Sequence, residues 1–279
     1  MQFVRFRRDG GPARWAYRDG EDLHLLDGSP DLRALANPTR RQQAARRAAR
    51  GELETIPEGN VTILPPVDRP GKIVALGLNY HDHAAEQGAD VPDRPLLFSK
   101  APTAVTRPES PIVHPDAVDQ VDYEVELAIV IGRQARSVAA DDALRHVAGY
   151  TVCNDVSARD AQFADDQWFR GKSYDTFAPL GPRLATAPEF DPNGVDVALR
   201  VNGETKQESN TDELIFGPAE TIAYVSDVFT LEPGDVIVTG TPAGVGIFRD
   251  PPDLLEPGDV VEAEIDGIGT LRNPVIAET

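Results

Sequence analysis

Apolar and polar positions alternate over short stretches along most of this chain, and sustained helical periodicity is rare. Gln2–Arg7, Ala13–Arg18 and Asp22–Leu26 read as short strands divided by turns at Asp9-Gly10 and Asp19-Gly20. A polar, arginine-rich helix follows from about Arg40 to Leu53. The run Leu64-Pro65-Pro66-Val67-Asp68-Arg69-Pro70-Gly71 has three prolines and a glycine, which resist regular structure. It divides a small leading module, residues 1–66, from a larger domain, residues 67–279.

In the larger domain, Lys72–Leu76 is a compact apolar strand and Asn79–Gln87 starts a helix. Strand patterns recur at Tyr123–Ile131, Ala148–Asn154, Val195–Val201, Val236–Thr239 and Val260–Ile265. Turn signals punctuate them at Pro233-Gly234-Asp235, Pro257-Gly258-Asp259 and Asn202-Gly203. Only Asp141–His146 and Pro218–Val225 read as further short helices. The fold class is a β-rich α+β arrangement without regular β-helix-β alternation.

Composition adds a constraint on partners. The 279 residues include 46 acids against 27 bases, a formal net charge of −19, and such a field disfavours nucleic acid and anionic membranes. Lysine occurs only at positions 72, 100, 172 and 206, so each is worth inspecting. A halophilic source and a GC-rich genome each account for this bias. No apolar run reaches the ~20 residues of a spanning helix, and the N-terminus lacks a secretory h-region. With a single cysteine, Cys153, the expected compartment is the reducing cytoplasm.

The sharpest chemical signal is Asp122-Tyr123-Glu124-Val125-Glu126, which runs into the apolar segment Leu127–Ile131. On a strand, Asp122, Glu124 and Glu126 share one face, with alternate residues roughly 6.5–7 Å apart. Carboxylates this close in a dry place call for a cation, and oxygen ligands suit Mg²⁺, Mn²⁺ or Ca²⁺. A solvated strand face is the competing reading. A further carboxylate, Asp155, ends the apolar strand before Val156-Ser157-Ala158-Arg159, where a helix cap is the alternative role.

Eight collinear blocks between Lys72 and Asn273 resemble the fumarylacetoacetate hydrolase superfamily. They are KIVALGLNYHDHAAE, LLFSK, DYEVELAIVIG, GYTVCNDVSARDAQ, GKSYDTFAPLGP, NGETKQESNTDELIF, LEPGDVIVTGTPAGVG and GDVVEAEIDGIGTLRN. The resemblance is to the acylpyruvate hydrolase and 2-hydroxyhepta-2,4-diene-1,7-dioate isomerase branch. It implies a mixed β-roll catalytic domain, a divalent cation (Mg²⁺, Mn²⁺ or Ca²⁺) and a homodimer. It maps the metal ligands onto Glu124, Glu126 and Asp155, with Asp122 behind them. It assigns water activation to His83 and Glu86, which share a helix face at i, i+3. Lys172 falls on an oxyanion-binding lysine, Gln162 and Thr241 fall on substrate-contacting positions, and Arg159 on a family-motif position whose alternative role is to brace the metal carboxylates; Lys100 is a further candidate for the substrate pocket.

The activity implied is hydrolysis of a C–C bond in a 2,4-dioxo, acylpyruvate-type acid, with a sugar-derived diketo acid as the first substrate expectation. The cation would stabilise the departing enolate. Decarboxylation or isomerisation of oxaloacetate-like or unsaturated oxo-diacids on the same site is the alternative, and a non-catalytic metal-stabilised binding module is a remote one. Gly240, Gly244 and Gly246 match neither nucleotide-loop spacing, Cys153 reads as a core residue, His81 as exposed, and His114 and His146 have no evident partners.

Overall fold

A computed structural model describes residues 1–28, 31–187 and 189–279. A 12-stranded mixed sheet forms its backbone. Its main path runs Thr55–Pro57, Asp22–Leu25, Arg14–Asp19, Gln2–Arg7, Ala178–Thr186, Val147–Asn154, Val125–Ile131, Val236–Val238, Ile73–Gly77 and Leu96–Lys100. A second sheet of five strands packs on it, in the order Glu204–Asn210, Asp196–Val201, Val260–Ile265, Gly269–Ala277, Ile112–His114. This is the β-rich α+β architecture expected. The leading strands join the large sheet directly, since Gln2 pairs with Ala185 and Phe3 with Leu184. Pro65, Pro66 and Val67, in the stretch read as a linker, are buried.

Strand Val125–Ile131 is buried along its whole length, with Val147–Asn154 on one side and Val236–Val238 on the other. Val125, Leu127, Ile129 and Ile131 enter the core shared with the second sheet, whereas Ala128 and Val130 pack with Phe3, Trp15 and Leu180. Burial on both faces is why the sequence there is an unbroken apolar run.

One strand expectation needs correction. The strand read as Tyr123–Ile131 is broken, because Val121–Asp122 pairs with Ser157–Ala158 in a separate ribbon and pairing in the large sheet resumes at Val125. Strand Ala178–Thr186 is internal to the sheet yet carries Pro179 and Pro182, residues that argue against a central strand. Its pairing with Val147–Asn154 shifts register between Tyr150 and Val152, opposite Gly181–Ala185, so Pro182 falls where the ladder is already interrupted. The helices are trimmed or shifted: Pro38–Ala49 is capped by the Asn37 carboxamide and stops before Gly51 at φ +68°.

Candidate active site

Glu124 leaves the chain just before the large-sheet strand begins, and Glu126 lies on its second residue. Asp155 follows strand Val147–Asn154, its backbone N–H bonded to the Glu124 carbonyl at 2.8 Å. Glu124 N–H in turn donates to Asn154 Oδ1 at 3.0 Å. Adjacent antiparallel strands thereby bring the three carboxylates together, with ligand oxygens within 4.8 Å of one another. Their exposures are 5%, 1% and 0%, which rules out the solvated-face reading.

Three cations are buried with them. Lys172 Nζ bridges Glu124 Oε2 at 2.6 Å and Asp155 Oδ2 at 2.9 Å. Lys100 pairs with the other oxygen of Asp155 and with the Val156 carbonyl, and it does not line the cavity. Arg159 bonds Asp122 through Nε at 2.9 Å and reaches Glu124 Oε1 at 2.7 Å. Counting Asp122, four buried acids face three buried bases. Burial alone raises a carboxyl, but Lys172 and Arg159 outweigh it at Glu124 and hold that group down to about 2. Glu126 carries the mismatch: burial, then Asp155 and Glu124, push it well above the usual range, against the Lys172 charge and a hydrogen bond from Gly240 N–H at 2.7 Å.

A divalent cation among these oxygens would offset that excess, and an all-carboxylate donor set suits Mg²⁺ or Mn²⁺. The residues present therefore fit the metal, with Glu124, Glu126 and Asp155 as its protein ligands.

Asp122 points elsewhere than face-sharing on one strand would imply. Its Oδ1 accepts Gly246 N–H at 2.8 Å, and its Oδ2 accepts Ile247 N–H at 3.1 Å and the Arg159 guanidinium. It thus pins the loop after Val236–Val238 against the acidic site. Asp122→Ala would leave three amides unpaired, those of Tyr123, Gly246 and Ile247, and one partner missing from a buried arginine. We expect it to destabilise the fold by about 3–5 kcal/mol, read by chemical denaturation. A loss under about 1 kcal/mol would contradict this role.

His83 projects from the short helix His81–Glu86 and is nearly buried. Its Nδ1 lies 2.9 Å from Glu86 Oε2, and an ionised carboxylate only accepts, so Nδ1 carries the proton. Nε2 is then the basic atom, and it accepts from the Gln87 amide at 2.7 Å. The other Glu86 oxygen accepts Gly244 N–H at 2.8 Å, while Asp82 accepts from Ser209 Oγ at 2.6 Å. These contacts tie the helix to the Asp122-pinned loop and the second sheet.

A cavity of about 190 Å³ joins these groups. His83, Glu124, Glu126, Arg159, Gln162, Lys172 and Thr241, all anticipated, line it. Gln162 Oε1 accepts from Arg159 at 2.9 Å, which leaves its amide N–H groups to a ligand. Thr241 Oγ1 accepts from Gln207 Nε2 at 2.8 Å, which leaves its own hydroxyl proton to donate. The sequence reading missed Gln87, although the helix-face rule that found Glu86 at i+3 also reaches i+4. It also missed Gln207 and the aromatic wall of Phe98, Trp168 and Phe248, which come from distant segments and carry no local signal.

The sequence profile of the fumarylacetoacetate (FAA) hydrolase C-terminal family matches residues 72–276. The chain belongs to that family. Its relatives of the same fold span several activities by name. A mitochondrial oxaloacetate tautomerase of Bos taurus is 48% identical over 234 residues, covering 83% of this chain and 74% of that protein. The fumarylacetoacetate hydrolase of psychrophilic Exiguobacterium antarcticum shares the fold with a TM-score of 0.87 at 38% identity, over 100% of both chains. The 5-carboxymethyl-2-hydroxymuconate delta-isomerase of Mycobacterium smegmatis superposes with a TM-score of 0.82 at 36% identity, again over 100% of both chains. Among the described residues, no helix is long and apolar enough to cross a membrane.

Proposed function

We propose that this enzyme interconverts the keto and enol forms of a small 2-oxo dicarboxylic acid of the oxaloacetate type, in place of the C–C hydrolysis that the His83/Glu86 pair suggests. The observation that carries this reading is the cavity itself. Its 190 Å³ lies below the ~300 Å³ at which pockets for drug-sized ligands begin, and it sets a basic imidazole and hydrogen-bond donors around one small space. Tautomerisation asks for nothing more, because it moves one proton and consumes no water. Hydrolysis of an acylpyruvate needs room for an attacking water beside the substrate, and more again for any acyl group longer than acetyl. The bovine tautomerase supports the same choice.

In this mechanism the substrate carboxylate takes the Thr241 hydroxyl, and the oxo group faces Gln162 and Lys172. A cation held by Glu124, Glu126 and Asp155 would supply Lewis-acid polarisation of the oxo group. The substrate displaces the Gln87 amide from His83 Nε2, which then accepts a proton from C3. The C3–H electron pair becomes the C2–C3 double bond, and the carbonyl pair moves to oxygen. Donation from Gln162 and Lys172 stabilises the charge on that oxygen, and the proton on His83 is returned to it. Glu86 stabilises the transient imidazolium at Nδ1. Isomerisation of an unsaturated oxo-diacid uses the same proton movement, and the small cavity favours the shorter acid.

The test follows oxaloacetate by its enol absorbance and by deuterium exchange at C3, with Mg²⁺ or Mn²⁺, beside a panel of acylpyruvates. Enzyme- and cation-dependent interconversion, with acylpyruvates left intact, is the expected result. Release of pyruvate from an acylpyruvate faster than oxaloacetate exchange would return the assignment to hydrolysis. The free, buried Cys153 fits a reducing compartment, the cytoplasm or the mitochondrial one for which the bovine relative is named.

A further inference from the structure

The cavity lining is of two kinds. Glu124, Glu126, Arg159 and Lys172 are charged, and Leu96, Phe98, Trp168 and Phe248 are apolar, with Lys172 Nζ 5.3 Å from the Phe98 ring centroid where the two meet. Beside the apolar residues lies a larger groove of about 750 Å³, lined in part by Val74, Leu97, Phe169 and Phe229. Leu96, Phe98 and Trp168 line both spaces and therefore form the partition between them. Leu96 and Phe98 are fixed in the edge strand Leu96–Lys100. Trp168 comes from the turn between helix Arg159–Ala164 and Lys172.

The position of the indole is fixed from several directions. Its ring packs edge-on against Phe98, with centroids 5.2 Å apart. The Trp168 carbonyl accepts Lys172 N–H at 3.0 Å, which links the turn to the bridging lysine. Its ring also presses on the backbone at Gly77. A Cβ added there would come within 2.5 Å of Trp168 Cζ3 and 2.9 Å of Cη2. Gly77 lies in a regular strand and is not among the positive-φ residues, so the absence of a side chain makes room for the indole and serves no turn.

We propose that Trp168 is a specificity-determining residue that limits the length of the substrate by closing the catalytic cavity off from the outer groove. This rests on the proposed enolisation of small 2-oxo acids. With the carboxylate and oxo group held at the charged and polar residues, any further chain runs toward the apolar wall. A short acid ends before that wall, and a longer one meets the indole. Removing the ring joins the cavity to the groove, whose apolar lining suits an alkyl tail.

The experiment measures cation-dependent deuterium exchange at C3 across a series from oxaloacetate and 2-oxobutanoate to 2-oxohexanoate and 2-oxooctanoate. It compares the unsubstituted enzyme with Trp168→Ala and Trp168→Phe. The expected result is a ratio of kcat/KM for 2-oxooctanoate over oxaloacetate that rises by at least about tenfold in Trp168→Ala, the scale of a few methylenes gaining or losing apolar contact. Trp168→Phe, which keeps a ring against Phe98, should fall between and covers the case in which the alanine variant does not fold. In the Trp168→Ala background, Gly77→Ala should be tolerated, because the indole is gone and the remaining neighbour, Leu96 Cδ2 at 3.2 Å, is the end of a side chain that can shift by a few tenths of an ångström. On its own it must displace the indole and should lower exchange on every acid. A length preference unchanged within about twofold in the folded variants overturns the proposal while leaving oxaloacetate exchange standing. No oxaloacetate exchange by the unsubstituted enzyme overturns the proposed function, and the length limit falls with it.

Discussion

Glu126→Gln is expected to abolish cation-dependent activity and to weaken Mn²⁺ binding by more than about 100-fold, beyond the 10–100-fold typical of groups that only support a ligand. The substitution keeps the side-chain volume and can still accept Gly240 N–H, so packing is preserved. It removes the charge that a divalent cation would neutralise. Calorimetric titration with Mn²⁺ gives the affinity, and oxaloacetate exchange gives the activity. Cation affinity within about tenfold of the unsubstituted protein would remove Glu126 from the ligand set.

The same variant carries a stability signature with a definite sign. In the metal-free protein the folded-state Glu126 is raised well above its ordinary value by burial, Asp155 and Glu124. The folded state therefore binds the proton more tightly than the unfolded chain. The Glu126 contribution to stability is therefore largest below the ordinary carboxylate range and is lost as pH rises from there through the raised value. Glu126→Gln removes this slope, as saturating cation should. A metal-free Glu126→Gln protein that is at least as stable as its parent at neutral pH, yet inactive, separates loss of a ligand from loss of the fold. If the slope persists in the variant, another group is responsible for it.

His83→Ala is the second large effect. General acid–base catalysis contributes about 10²–10⁴ in rate, and kcat for oxaloacetate interconversion should fall by that factor. KM should change little, because Thr241, Gln162 and the carboxylate site are left in place. Deuterium exchange at C3 should fall in parallel, since the same Nε2 moves the proton. Glu86→Gln should cost less, because it preserves a neutral acceptor oxygen for Nδ1–H and weakens only the support for the imidazolium. Retention of more than about a tenth of kcat in His83→Ala would assign the proton transfer to another group.

Much of the site is legible in the amino-acid sequence because its information is local. Glu124 and Glu126 are two residues apart on an extended segment, and His83 and Glu86 are three apart on a helix, so each pair is brought together by backbone geometry alone. The apolar run after Glu126 indicates burial for the same reason. Gln87 lies on the same helix face as His83 and is within reach of the same rule. Strand Ala178–Thr186 is not legible in this way, since Pro179 and Pro182 contradict the pattern that the surrounding sheet imposes.

Asp122 marks the boundary between the two kinds of information. Alternation places it beside Glu124 and Glu126, and the fold turns it toward Gly246, Ile247 and Arg159. Those amides lie more than a hundred residues along the chain, at separations of 124 and 125, and no local periodicity reports them.

By itself the sequence determined the β-rich class, the carboxylates and imidazole of the candidate site, and the family's collinear blocks. Only the tertiary structure decided that three bases stand against four acids, that Lys100 lies beneath Asp155 and off the cavity, and that Trp168 lines both the cavity and the outer groove. The physical reason is the range of the interactions involved. Face and spacing follow from backbone dihedrals within a few residues, whereas desolvation, net charge and cavity volume depend on every segment that packs there.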